Sequence, residues 1–280
     1  MSPSRKALPA ALVLALLGAG LLAPSEGLAD PPRHGRRTRA RRRPARVNLA
    51  VYRANVRRWH DPSRLPGPRA TEDGRYVLRL YGLNNRVAGE LAPTGREGAW
   101  VFDEVSRAQA SRVLEDTRAH ATTAIDVRLL EVVYTLARHF QVGQVTVVSG
   151  YRARAGRSNH ALGRAVDLVL PGVRDEAVAA YARTLGFLGV GVYPVSGFVH
   201  VDVRSRSFFW VDPSVPGRRS RRLREVRGAE ARAADEAARA RGVTPLGGTG
   251  ADDGADDEAD EEVPSGAAGT AGTTVTPGAR

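Results

Sequence analysis

The chain has 280 residues, a formal charge of +12 and no cysteine, which excludes a disulfide scaffold, thiol catalysis and a thiolate metal site. Any metal must therefore sit on histidine and carboxylates. Of the 42 basic residues only Lys6 is lysine, and this skew, with abundant Ala, Gly and Val, reads as coding bias rather than as a surface designed for nucleic acid.

Arg5 and Lys6 precede the 17-residue apolar run Ala7 to Ala23, and Gly27-Leu28-Ala29 offers small residues for cleavage before Asp30. Residues 1–29 are read as a secretory signal, with a short N-terminal anchor as the alternative. No later stretch is apolar enough to span a bilayer, so the expected location is periplasmic or secreted. Residues 30–75 form an Arg/Pro-rich linker with eight arginines between Arg33 and Arg46. Within it, Val47 to Trp59 alternates in polarity and is read as an edge strand, and Pro62, Pro66 and Pro68 mark an irregular stretch. Tyr76 to Tyr81 is strand-like, Asn84-Asn85 is a turn signal, and Val87 to Leu91 returns as a hairpin partner.

Asp103 can cap a helix running to about Thr117, and Asp126 a second with Leu129, Val132, Val133, Leu136 and Phe140 on one face. His139, near the end of that helix, suits the dipole better than a ligand role. Val145 to Ser149 is a short strand, and Ser158 to Leu170 is a loop passing into another. A helix starting near Asp175 can end at Gly186. Val190 to Tyr193 and Phe198 to Val203 then form a hairpin around Pro194-Val195-Ser196-Gly197. Residues 213–280 are read as a charged, low-complexity, disordered tail with a helical stretch near its start. It holds nine arginines between Arg218 and Arg241 and eight acids between Asp252 and Glu262. The basic runs can hold the chain near an anionic wall or membrane surface.

Chemistry concentrates in two places. In the second hairpin strand Val199, Val201 and Val203 point one way, and Phe198, His200 and Asp202 the other. His160 and Asp167 are separated by Gly163, which permits a sharp turn, and Ala165, which leaves room. Asp167 among Ala165, Val166, Leu168 and Val169 is costly to bury without compensation, and a cation would supply it. Two histidines and a carboxylate are a standard catalytic zinc set. Taken alone, these residues read better as a loop histidine, an arginine partner and a His200–Asp202 hydrogen bond.

The pattern Ser158-x-His160-x-x-Gly163-x-Ala165-x-Asp167, followed by Phe198-Val199-His200-Val201-Asp202, resembles the LAS-type zinc peptidases, which include D-alanyl-D-alanine carboxypeptidases and dipeptidases and hedgehog-like domains. It is most similar to the YcbK-like periplasmic murein endopeptidase branch, as are Ser149-Gly150-Tyr151-Arg152, Gly189 to Pro194, Trp210 and the Leu78 to Leu91 hairpin. The likeness spans residues 76–212.

The resemblance implies an α+β fold with a small, mostly antiparallel sheet, packed helices and a zinc site in an open cleft. It implies Zn2+ on His160, Asp167 and His200, Arg152 as the oxyanion donor, and Ser158 and Tyr193 on the substrate side, each with a purely structural alternative. The dipeptidases carry a glutamate base three residues before the last histidine ligand, where this chain has Gly197. Asp202 is left as either the general base or the residue that orients His200. Val203-Arg204 stands where the closer branch usually has Thr-Gly, which bears on substrate preference. The implied activity is amide hydrolysis in peptidoglycan peptides, of DD-endopeptidase or carboxypeptidase type. A non-catalytic metal-containing wall-binding module is the alternative. A basic polyanion-binding protein is disfavoured by the export signal and by the lack of a basic motif interleaved with aromatics.

Overall fold

A computed structural model describes residues 47–218, 220–224 and 228–246. The expected secretory signal, the linker's arginine run and the acidic run lie outside the described residues. No helix among those described is long and apolar enough to cross a membrane.

The elements in chain order are α1 (Leu49–His60), β1 (Arg69–Ala70), β2 (Tyr76–Gly82), β3 (Ala88–Leu91), β4 (Thr94–Arg96), β5 (Ala99–Val101), α2 (Glu104–Val113) and α3 (Val127–His139). There follow β6 (Val145–Ser149), β7 (Ala165–Val169), α4 (Asp175–Thr184), β8 (Leu188–Tyr193), β9 (Phe198–Val203), β10 (Phe208–Val211), β11 (Leu223–Arg224) and α5 (Gly228–Ala240). The fold is α+β. Nine strands form one sheet in the order β1-β2-β6-β7-β9-β8-β10-β11, with β3 also on β2, so the sheet is larger than the sequence suggested. Its pairings are antiparallel except β2 with β6 and β8 with β10. β4 and β5 form a separate hairpin.

Strand alternation sets the two faces. Val199, Val201 and Val203 of β9 join Val166 and Leu168 of β7 and Val190 of β8 in the main core, which α3 and α4 cover with Leu129, Leu136, Val178 and Ala182. The helices start where capping residues dictate: Asp103 accepts from Ser106 N at 2.7 Å and Asp126 from Arg128 N at 2.9 Å. The opposite face holds a smaller cluster of Val148, Val169, Tyr193, Phe198 and Trp210.

Two segments differ from expectation. The stretch read as an edge strand is helix α1, capped by Asn48. Its alternation was incidental, because Tyr52, Val56 and Trp59 recur at helical spacing, and Tyr52 and Trp59 are the buried pair. Tyr52 donates to Ser196 O at 3.0 Å, and the His60 ring lies 3.2 Å from Gly197 O, so α1 grips the β8–β9 turn. The tail read as disordered beyond a helical stretch contributes β11, paired with β10, and its helical stretch is α5, which packs on the fold with Ala231, Asp235 and Ala238 buried. Poor core composition misled here. Alanine serves well where a helix approaches a turn closely, as where a Cβ on Gly186, between α4 and β8, would fall 2.4 Å from Ala238 Cβ of α5.

Candidate metal centre

The sheet register builds the site. Ser149 lies opposite Asp167, Asp167 opposite His200, His200 opposite Gly191, and Gly191 beside Trp210. These residues form one row across β6, β7, β9, β8 and β10, on the face away from the main core. A second row runs Ala165, Asp202, Gly189, Phe208. The two glycines of β8 matter because side chains from neighbouring strands fill their places. A Cβ on Gly191 would come within 2.3 Å of the Trp210 ring, and one on Gly189 within 2.2 Å of Asp202 Oδ2.

His160 reaches this row from the loop before β7. The loop turns through Gly163, whose φ of +66° favours glycine and whose missing Cβ would sit 2.5 Å from Ala124 O. His160, Asp167 and His200 are 1%, 3% and 2% exposed, so the set is covered rather than open. His160 Nε2 lies 3.3 Å from His200 Nδ1 and 3.6 Å from Asp167 Oδ1, and His200 Nδ1 lies 2.8 Å from Asp167 Oδ1. Tetrahedral ligands at zinc-like bond lengths are separated by about 3.3 Å, so these three atoms can hold one metal ion.

The outer contacts suit the same use. His160 Nδ1 lies 2.6 Å from Gly150 O, where its N–H donates and leaves the Nε2 lone pair facing the centre. His200 Nε2 donates to Asp202 Oδ2 at 2.9 Å, which leaves Nδ1 as the ligand atom. Such partners fix both tautomer and ring orientation. Asp202 is fully buried and also accepts from Asn159 Nδ2 at 2.8 Å and from the Arg204 guanidinium. Trp210 is tilted against His200 with centroids 5.2 Å apart. Arg152 donates to Asp167 Oδ2 and, at 3.0 Å, to Ser149 Oγ; its side chain is 15% exposed and is the group's link to solvent.

Electrostatics follow from this crowding. Burial opposes charge on His200, but its hydrogen bonds to Asp167 and Asp202 outweigh it and push its pKa up to about 9. Burial and the nearby Arg152 keep His160 below the usual histidine value. Burial would raise Asp167, yet the neighbouring imidazoles and Arg152 hold it well below the carboxylate range. Burial likewise opposes ionisation of Asp202, and Arg204 with His200 overcomes it. In the metal-free protein a proton on His200 and the Arg152 guanidinium thus supply the positive charge that a buried Asp167 requires.

The remaining predicted positions fall nearby. Ser158 Oγ accepts from Ala161 N at 3.3 Å, so it braces the His160 loop. Tyr193 stacks on Phe198 at 4.5 Å and accepts from Trp210 Nε1 at 3.3 Å; burial raises its pKa and keeps it neutral. Gly197 has a φ of +71°, and a Cβ there would meet Val56 of α1 at 2.3 Å, so this position is closed to a glutamate base. His139 stacks on Tyr181 outside the cluster. Sequence reasoning did not place Asn159, Arg204 or Trp210 in the site's framework. The position of Asn159 beside His160 was the available signal for the first of them.

Residues 74–207 match the family described as peptidoglycan L,D-endopeptidase MepK. That stretch, just under half of the chain, is similar to this peptidase family. Peptidoglycan L,D-endopeptidase MepK of Escherichia coli (strain K12) is 29% identical over 138 residues, covering 44% of this chain and 76% of the relative. A protein of the same name from Shigella flexneri gives the same figures. The probable MepK of Haemophilus influenzae is 29% identical over 141 residues, covering 45% of this chain and 73% of the relative. No solved structure matches significantly. All four residues of the ligand set and its arginine, His160, Asp167, His200 and Arg152, lie inside the matched stretch, whereas α1 and α5 lie outside it.

Proposed function

We propose that this domain is a zinc-dependent peptidase of peptidoglycan peptides, with the ion on His160, Asp167 and His200. The observation that carries the proposal is the buried triangle of two imidazole nitrogens and one carboxylate oxygen, each oriented from behind, within a stretch similar to this peptidase family. The relatives are named as L,D-endopeptidases, so an L,D amide is the bond proposed, ahead of the D,D bond suggested by the wider resemblance.

When bound, zinc supplies Lewis acidity and lowers the pKa of a coordinated water. The chain's own residues do the rest. Arg152, anchored on Ser149 and Asp167, presents a fixed guanidinium to the negative charge that develops on the attacked carbonyl oxygen. Asp202 retains the Nε2 proton of His200 and so holds the ring. Its burial and full set of partners favour this orienting role over that of a general base. Tyr193, Phe198 and Trp210 exclude water beside His200.

Digestion of purified peptidoglycan by wild type and His160→Ala, with zinc measured in both, tests this reading. Zinc and a split L,D cross-link are expected with wild type and neither with the variant; a folded wild type that binds no zinc or releases no peptide refutes it. A second reading, a metal-containing wall-binding module without catalysis, is favoured by the absence of an uncommitted carboxylate beside the ligands among the described residues. Zinc at full stoichiometry with intact muropeptides would select it.

Zinc uptake must displace the proton on His200 Nδ1. Zinc affinity should therefore rise by about tenfold per pH unit between pH 6.5 and about 9, read by chelator competition. In the metal-free protein the same group acts in reverse. Its pKa is raised from 6.5, so its contribution to stability is full below pH 6.5 and is lost as pH rises through about 9. An affinity flat across this window would contradict the assignment of His200.

A further inference from the structure

His200 has two supports besides its neighbours in the ligand set: the hydrogen bond from Nε2 to Asp202 and the tilted indole of Trp210. Both supports meet a single side chain. Arg204 donates through Nε to Asp202 Oδ1 and through Nη2 to Asp202 Oδ2 at 2.8 Å, a two-pronged grip. Its guanidinium carbon also lies 5.6 Å from the Trp210 ring centroid and 5.6 Å from that of Phe208, in the range of a cation–π contact. The backbone reserves the place for this pair. Gly189 lies beneath it, and a Cβ there would fall 2.2 Å from Asp202 Oδ2 and 2.4 Å from Arg204 Nε.

We propose that Arg204 is a positioning residue of the metal centre, holding Asp202 and Trp210 together so that His200 keeps its ligand orientation and the ion is retained. Without Arg204, Asp202 would be held only through Oδ1 by Asn159 and could pivot there, and the imidazole bonded to its other oxygen would follow it. The guanidinium fork removes that freedom by engaging both carboxylate oxygens, and stacking ties the fork to the indole that limits the ring from its side. Arg204 grips Asp202 and stacks on Trp210, so it acts on the ligand set through retention and geometry rather than on substrate. The proposal rests on the zinc reading above.

The test uses the full chain with Arg204→Gln, Arg204→Lys and Gly189→Ala. Gly189→Ala displaces the pair from the opposite side and keeps the inference falsifiable if Arg204→Gln does not fold. Zinc affinity is measured by chelator competition, and the visible absorption of the Co(II)-substituted protein reports the geometry at the ion. Arg204→Gln and Gly189→Ala are expected to lose about tenfold in zinc affinity, at the low end of the effect of residues that orient ligands, and to shift the Co(II) bands in the same sense. Arg204→Lys, which keeps charge but not the fork, should fall between them and wild type. Excess zinc should restore most of kcat with KM unchanged. Wild-type affinity and Co(II) spectra in both Arg204→Gln and Gly189→Ala would overturn this inference while leaving the peptidase reading intact. A wild type that binds neither metal overturns both.

Discussion

Asp167→Ala is expected to abolish zinc retention and peptidase activity together, and to destabilise the metal-free domain by about 3 kcal/mol, the lower end of the range for removing one partner of a buried ion pair. In the metal-free state Asp167 faces His200 at 2.8 Å, and its other oxygen accepts from Arg152. Its removal leaves Arg152 without its carboxylate and His200 with Asp202 alone as counter-charge, beside the Tyr193, Phe198 and Trp210 cluster. The two cations respond differently. His200 can release its proton, because one of the two hydrogen bonds that raise its pKa is gone. Arg152 cannot deprotonate, but its side chain already touches solvent and can turn outward. Both routes of relief place the cost at the bottom of the range. Denaturant unfolding of chelator-treated wild type and variant measures it, and metal analysis measures retention. The pH dependence of stability between 6.5 and about 9 should also shrink in the variant, which a loss of packing alone would not produce. A variant that keeps zinc at wild-type stoichiometry would remove Asp167 from the ligand set.

How much of this was legible depends on whether the signal was local. The alternation of Phe198 to Val203 displays its two faces directly, and the sheet uses them as read, with valines in the core and His200 and Asp202 opposite. The separation of His160 from Asp167 around Gly163 is likewise local, and Gly163 adopts the left-handed turn that its place suggested. What could not be read is the register between strands distant in sequence. That Ser149, Asp167, His200, Gly191 and Trp210 form one row follows from pairing, and pairing is fixed by the whole sheet. Arg204 shows the consequence. In sequence it is one arginine among 41 at a position where the closer branch differs, and it read as a matter of substrate preference. In the fold it grips Asp202. The segment Val47 to Trp59 fails for a different reason: a short amphipathic stretch fits periods of 2 and 3.6 alike until its packing partner is known. Its partner is the β8–β9 turn, some 140 residues away in sequence.

Asp235→Ala, in the helix at the start of the charged tail, is expected to lower stability by about 3 kcal/mol, because it strands several buried donors at once. Asp235 Oδ1 accepts from Phe187 N at 2.7 Å and from Ser207 Oγ at 2.6 Å, and Oδ2 accepts from Ser207 N at 2.9 Å. Phe187 and Ser207 are buried, so two backbone N–H groups would lose their partner away from water. Phe187 carries a further burden, since its φ of +55° lies in the left-handed region that a phenylalanine rarely adopts. The hydrogen bond from its own N–H to Asp235, with that from Arg204 N to its carbonyl at 2.8 Å, holds it there. Because Phe187 precedes β8 and Ser207 precedes β10, one carboxylate on α5 fixes where both strands begin. Those strands carry Gly189, Gly191 and Trp210, so α5 supports the candidate metal centre from outside the segment matched by the peptidase family. Asp235→Asn, which keeps one oxygen as acceptor, should recover about half of the loss, in line with hydrogen bonds of roughly 1–1.5 kcal/mol each. Thermal and denaturant unfolding read the effect, and a shift in midpoint of less than a degree for Asp235→Ala would mean that α5 does not bear on the sheet. Once folded, the variant should still bind zinc within a few-fold of wild type, whereas Arg204→Gln loses about tenfold in zinc affinity. Asp235 meets Phe187 at its N–H and Arg204 meets it at its carbonyl, and the difference in zinc affinity between the two variants would separate what holds the sheet from what holds the ion.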